Sequence, residues 1–112
     1  MIVSDGDYGN SCWQGLTYVP ADANGNFVDG AVAVYLNDYN GGGTCNNIAV
    51  NYAKNSYGYR QDVCHEQGHA LGLDHNSVSN SCLYSTIINS PGAQTPNGDD
   101  FSLMQWIYSS AH

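Results

Sequence analysis

Apolar and polar positions divide the chain into two halves of different texture. From Met1 to Tyr39 short apolar runs alternate with turns: Met1–Ser4, Gly15–Val19 and Ala31–Asn37. Runs this short predict strands, with a mixed rather than strictly alternating period. Asn24 and Gly25 lie between the second and third runs, and that dipeptide predicts a tight turn joining antiparallel strands. Asn40–Asn47 is too rich in glycine and short polar residues for the interior of an element and predicts a surface loop. From Tyr59 to Leu71 the spacing of Val63, Gln67 and Ala70 predicts a helix, which Gly72 stops. Residues 76–96 are polar and turn-rich. A final helix follows, capped by Asp99 or Asp100 and carrying Phe101, Met104, Ile107 and Tyr108 on an apolar face. No repeat or second compositional regime interrupts this, so residues 1–112 are read as one domain.

Composition narrows the partners. The chain has 112 residues, 2 basic against 10 acidic side chains, and a formal net charge of −8. Lys54 and Arg60 alone cannot neutralise a phosphate backbone, which excludes sequence-independent nucleic-acid binding. An anionic membrane surface is disfavoured for the same reason, and no apolar run approaches the ~20 residues that span a bilayer. The first residues lack the basic and long apolar regions of an export signal, so any such signal is removed or lies outside this sequence. Four cysteines, Cys12, Cys45, Cys64 and Cys82, form an even set without a CxxC pair. In a small chain that needs extra staples, they point to two disulfides and an oxidising, secreted setting.

The chemistry is concentrated in HEQGHALGLDH, residues 65–75, which gather three of the four histidines and the chain's only glutamate. Chance delivers this pattern roughly 5 times in a million at such a composition. His65 and His69, at i and i+4, project from one helix face and can close on one metal ion. Gly72 lets the chain turn so that His75 returns as a third ligand. Three protein ligands leave a coordination position open, the arrangement of a catalytic zinc rather than a closed structural one. Zinc lowers the pKa of a bound water from 15.7 towards about 7, and Glu66, beside the metal without ligating it, is placed to take that proton as general base. The competing readings are a solvated helix face and a structural zinc completed by Asp74.

This motif resembles the metzincin metallopeptidases, and within them the matrixins most closely. Matrixins place a Met-turn a short loop after the third histidine, similar to Ser81-Cys82-Leu83-Tyr84-Ser85 here, and end in a helix like that starting at Asp99-Asp100-Phe101 and running through Trp106-Ile107-Tyr108. Upstream, the three predicted strands look like the last three of the family's sheet, while the family's first two strands and helix have no counterpart. The resemblance implies an α+β, zincin-like fold: a small twisted mixed sheet packed on an active-site helix, with an irregular C-terminal part ending in a helix. Leu83 stands where the family has methionine, a near volume-conserving change, and is the expected floor of the metal site. No histidines upstream of the active helix match the family's structural zinc, so one zinc is expected; His112 is read as a frayed end. Calcium, common in the family, has no clear motif: Asp22, Asn24, Asn26 and Asp29 are read as a polar turn.

Against that frame the cysteines are paired Cys64–Cys82, tying the active helix to the turn below the metal, and Cys12–Cys45. Substrate is expected to lie extended along the Gly15–Val19 edge strand, with Thr17 and Tyr18 contributing there and Tyr84 shaping a side-chain pocket. The resulting expectation is a monomeric, secreted zinc endopeptidase acting on protein or peptide substrates with Glu66 as base and later acid. Its rivals are a zinc-binding module without activity and a zinc hydrolase of non-peptide amides or esters.

Overall fold

The computed structural model describes residues 1–9, 13–28, 30–38 and 56–109. The expected loop Asn40–Asn47, the Cys12–Cys45 pair and His112 lie outside them. The architecture is α+β. Three strands, β1 (Ile2–Gly6), β2 (Gly15–Tyr18) and β3 (Ala33–Asn37), form one mixed sheet in the order β1-β3-β2. β1 runs parallel to β3, with Ile2 opposite Ala33, and β2 antiparallel to it, with Gly15 opposite Leu36 and Thr17 opposite Val34.

The mixed period of Ala31–Asn37 now has a cause. β3 is central and buried on both faces, so it reads as a nearly continuous apolar run. One face presents Val34 and Leu36 to a helix; the other carries Asn37, which Tyr8, Gly9 and Trp13 meet. The Asn37 side chain accepts from the Tyr8 N–H at 3.1 Å and donates to the carbonyls of Gly9 and Trp13. The expected turn forms at Asp22–Gly25, where the Gly25 N–H meets the Asp22 carbonyl at 3.0 Å. It sits at the tip of a longer connection, closed by an isolated bridge between Ala21 and Phe27. The Asp22 carboxylate accepts the N–H groups of Asn26 and Asn24, bonds that hold its carboxyl below the usual range. These are the contacts of a polar turn.

Helix α1 (Tyr57–Ala70) starts two residues earlier than expected, because Ser56 caps it by accepting from the Tyr59 N–H. Its C-terminus is a Schellman arrangement: Leu73 N–H reaches the Gly68 carbonyl and Gly72 N–H the His69 carbonyl, with Gly72 at φ +91°. Burial reaches beyond the Ala70 side into polar positions. Gln61, Asp62, His65 and Glu66 are buried, whereas Val63 and Gln67 are only half-buried, Val63 packing beside the Val34–Leu36–Ala70 core. The helix lies between the sheet and the irregular segment after it, so polar side chains enter the interior and find partners there. Gln61, for example, donates to the Thr86 carbonyl and accepts from Ile88 N–H, both at 2.9 Å.

Helix α2 (Gly98–Ile107) is capped by Asn97, not by Asp99 or Asp100. Asp100, three residues on, completes a capping box by accepting from the Asn97 N–H at 2.8 Å. The same carboxylate is buried because it also takes the hydroxyl of Ser81 and the amide of Asn76, pinning the helix to the turn around residue 81. Of the expected apolar face, Met104 and Ile107 pack on Leu73, Cys82 and Leu83, while Phe101 and Tyr108 are exposed.

Candidate metal centre

α1 and the Gly72 turn bring His65, His69 and His75 together, and nothing else among the described residues joins this group. Nε2 of His65 lies 3.0 Å from Nε2 of His75 and 3.0 Å from Nε2 of His69. The other ring nitrogens explain why these three converge. Nδ1 of His65 is 2.9 Å from the Cys82 carbonyl and Nδ1 of His69 is 2.8 Å from the Leu73 carbonyl. A carbonyl only accepts, so each Nδ1 carries the proton and each Nε2 presents a lone pair.

The Nε2 lone pairs of His65 and His69 facing each other at this distance suit a cation between them. A tetrahedral zinc with Zn–N bonds of about 2.0–2.1 Å separates its nitrogens by about 3.3 Å, close to the observed spacing. Three neutral imidazoles also suit zinc by donor type. Burial pushes His65 below its usual pKa, and the neighbouring His69 and His75 push the same way, against the opposing pulls of the Cys82 carbonyl and Glu66. The neutral, ligating form is thereby favoured. Asp74 stands apart from the cluster: it is exposed, and its carboxylate accepts from the His75 backbone N–H at 2.7 Å.

The wall below the imidazoles is built from the segment after them. Cys64, next to His65, is bonded to Cys82, with the Cα atoms 5.8 Å apart across a separation of 18 residues. A closure of that length contributes about 3 kcal/mol in the chain-entropy account. The adjoining Leu83 is completely buried against Gly68 and clusters with Leu73 and Cys82. Leu83→Ala should therefore cost about 2–5 kcal/mol and Leu83→Met less than about 1.5 kcal/mol, read from chemical unfolding of the zinc-free chain. Equal losses for the two would show that Leu83 is not tightly packed.

Glu66 is buried on the sheet side of α1. The Thr17 hydroxyl lies 2.6 Å from its Oε2 and 2.7 Å from its backbone carbonyl. Thr17 was expected on the substrate side, but its side chain turns inward, because it shares the covered sheet face with Val34. Tyr18 is on the opposite, exposed face, and Tyr84 is half-buried, its backbone bridged to Asn76 beyond the third histidine.

Sequence reasoning passed over Asp62, one helical turn before Glu66. Burial, with the Glu66 charge as a second cause, pushes its carboxyl up to about 7, and Oδ2 has no hydrogen-bond partner. The i, i+4 spacing of two carboxyls was the available signal. Gly15 was passed over too: a Cβ there would sit 2.5 Å from Cγ of Glu66 and 2.9 Å from Oδ2 of Asp62. Only a glycine lets β2 approach both acids so closely.

Comparison with known proteins agrees with this geometry. The family model described as Matrixin matches residues 18–109, which take in β3, all of α1, the three histidines, the Cys82–Leu83 turn and α2. No curated protein and no solved structure matches the chain. Matrixins are zinc metallopeptidases, and the match spans most of the sequence with the histidine cluster inside it; the chain belongs to the matrixin family.

Proposed function

We propose that the protein is a zinc-dependent endopeptidase that hydrolyses peptide bonds in extended substrates, with His65, His69 and His75 as the zinc ligands and Glu66 as general base and acid. The convergence of three Nε2 atoms, two of them with their tautomers set by backbone carbonyls, is the observation that carries this reading. When bound, zinc supplies Lewis-acid polarisation of the scissile carbonyl and an acidified water. Glu66 takes the proton from the attacking water and returns it to the departing amine, so one carboxylate serves both half-reactions. Intact Glu66 sets the reading apart from a zinc-binding module without activity.

β2 supports the peptide preference over other amides. It pairs only with β3 among the described residues, and an extended chain adding to its second edge as a further strand is the peptide-binding mode this suggests. Leu16 and Tyr18 stand exposed on its outer face, and Tyr84, bridged to Asn76 just after His75, is proposed to shape the pocket for the side chain following the cleaved bond. The net charge of −8 favours neutral or basic substrates through faster encounter. Matrixins typically act outside cells, and no helix among the described residues is long and apolar enough to cross a membrane. Secretion as a monomer fits these features.

The test is cleavage of an unfolded protein by the metal-stripped chain, before and after one equivalent of zinc. Cleavage restored by zinc is the expected result. Stoichiometric zinc without peptide cleavage, accompanied by turnover of a simple ester, would move the protein to the non-peptide hydrolases.

A further inference from the structure

We propose that Thr17 is a positioning residue for Glu66: strand β2 holds the carboxylate through the Thr17 hydroxyl, in a gap that Gly15 leaves open. The inference deepens, and rests on, the endopeptidase reading of the same site.

The contact spans 49 residues of sequence, so it belongs to the tertiary fold and not to the helix. At 2.6 Å the Oγ1–Oε2 separation is that of a hydroxyl donating to a charged carboxylate. The same Oγ1 lies 2.7 Å from the Glu66 carbonyl. One hydroxyl has one proton for these two acceptors, and the charged one takes the stronger bond. The carbonyl contact keeps Oγ1 centred over the residue whose side chain it holds. Oε2 is thereby committed to β2, and Oε1 is left as the oxygen to meet the water.

The arrangement is costly to leave to chance. A glutamate side chain has three rotatable bonds, and holding all of them fixed costs conformational entropy. A base that wanders by about 1 Å loses about 10²-fold in rate. Two groups restrict Glu66 here: Thr17 bonds one oxygen, and the bare Cα of Gly15 lies against Cγ. Because β2 is the edge strand among the described residues, a substrate pairing with it would have one strand set both the peptide and the base that works on it.

Glu66 is the only glutamate in the chain, so protein made with δ-¹³C glutamate gives a single side-chain carboxyl resonance. In the zinc-free protein, Thr17→Val should move that resonance and Thr17→Ser should leave it near its wild-type position. In the zinc-loaded protein, Thr17→Val should bind one zinc as before and lose ~10–100-fold in kcat, with KM changed by less than about twofold. Thr17→Ser should recover most of that kcat. Should the second methyl of valine crowd the site, Thr17→Ala removes the same hydroxyl without adding bulk and carries the same expectations. An unmoved carboxyl resonance, a wild-type kcat for both hydroxyl-free variants, or failure of serine to rescue would overturn the proposal. A zinc-loaded wild type that cleaves no peptide fails the endopeptidase reading itself and takes this inference with it; wild-type activity therefore tells the two failures apart.

Discussion

Glu66→Gln lowers the rate of peptide cleavage by about 10²–10⁴-fold and leaves the zinc stoichiometry unchanged. Glutamine keeps the shape and the contact with Thr17 but cannot accept a proton at the pH of the reaction, so the loss isolates proton transfer. The metal is unaffected because all three converging nitrogens belong to histidines, two of them oriented by the Cys82 and Leu73 carbonyls and not by Glu66. His69→Ala is the matching control. It removes one of three ligands and should lose zinc and activity together. Steady-state kinetics and metal analysis on the same preparations separate the two outcomes. A Glu66→Gln protein that retained both zinc and normal turnover would reassign the base.

The largest pH-dependent effect on stability should come from Asp62→Asn. In the folded protein this carboxyl is pushed up to about 7, chiefly by burial and further by the Glu66 charge, against an ordinary value of 3.8. The folded chain therefore holds a proton that the unfolded chain releases between those two values. The native state loses stability as pH rises through that window, and the loss is complete above about pH 7, where it amounts to something of order 4 kcal/mol. Asparagine carries no charge at any of these pH values. At pH 8 the zinc-free Asp62→Asn variant should be more stable than wild type by up to that amount; near pH 4 the two should nearly coincide. His65 is shifted downward and costs stability in acid as the unfolded imidazole takes up its proton, but it does so equally in both proteins. Their difference in urea unfolding, measured from pH 4 to pH 8, thus reports Asp62 alone. A difference that stays constant with pH would mean the buried carboxyl is not the source.

A buried acid beside the proposed base, without a partner for Oδ2, departs from the rule that interior polar groups are satisfied. Local rules are broken most often where a site needs unusual surroundings. The rest of the helix obeys that rule: Gln61, His65 and Glu66 are each bonded to a different part of the chain.

Much of the site was legible in the order of residues because its geometry is local. A helix repeats every 3.6 residues, so His65 and His69 must share a face, and Gly72 can take the left-handed conformation that brings His75 back. The Cys64–Cys82 bond follows the same logic at one remove, since each cysteine adjoins a residue lining the metal site. The mixed sheet of three strands also agrees with the pattern of apolar runs.

Where sequence periodicity stopped short, long-range contacts decided the outcome. The spacing of Val63, Gln67 and Ala70 predicts the helix but not that Gln61, Asp62, His65 and Glu66 are buried too, where the sheet and the segment around Thr86 and Ile88 meet α1. Asp100 looked like a cap and is instead the reciprocal partner of Asn97, drawn inside by Ser81 and Asn76. Thr17 lies on the edge strand as expected, but the contact of its hydroxyl with Glu66, 49 residues away, has no signal in the sequence.

The sequence by itself determined the histidine triad, its spacing and the family, because those depend on residues within one helix and one turn. Tertiary structure alone decided which tautomer each helix histidine adopts, which oxygen of Glu66 is held, and that Asp62 is buried beside it. The physical reason is that tautomer, rotamer and pKa are set by the carbonyls, hydroxyls and low-dielectric surroundings a side chain meets, and here those are supplied by strands and turns far away along the chain.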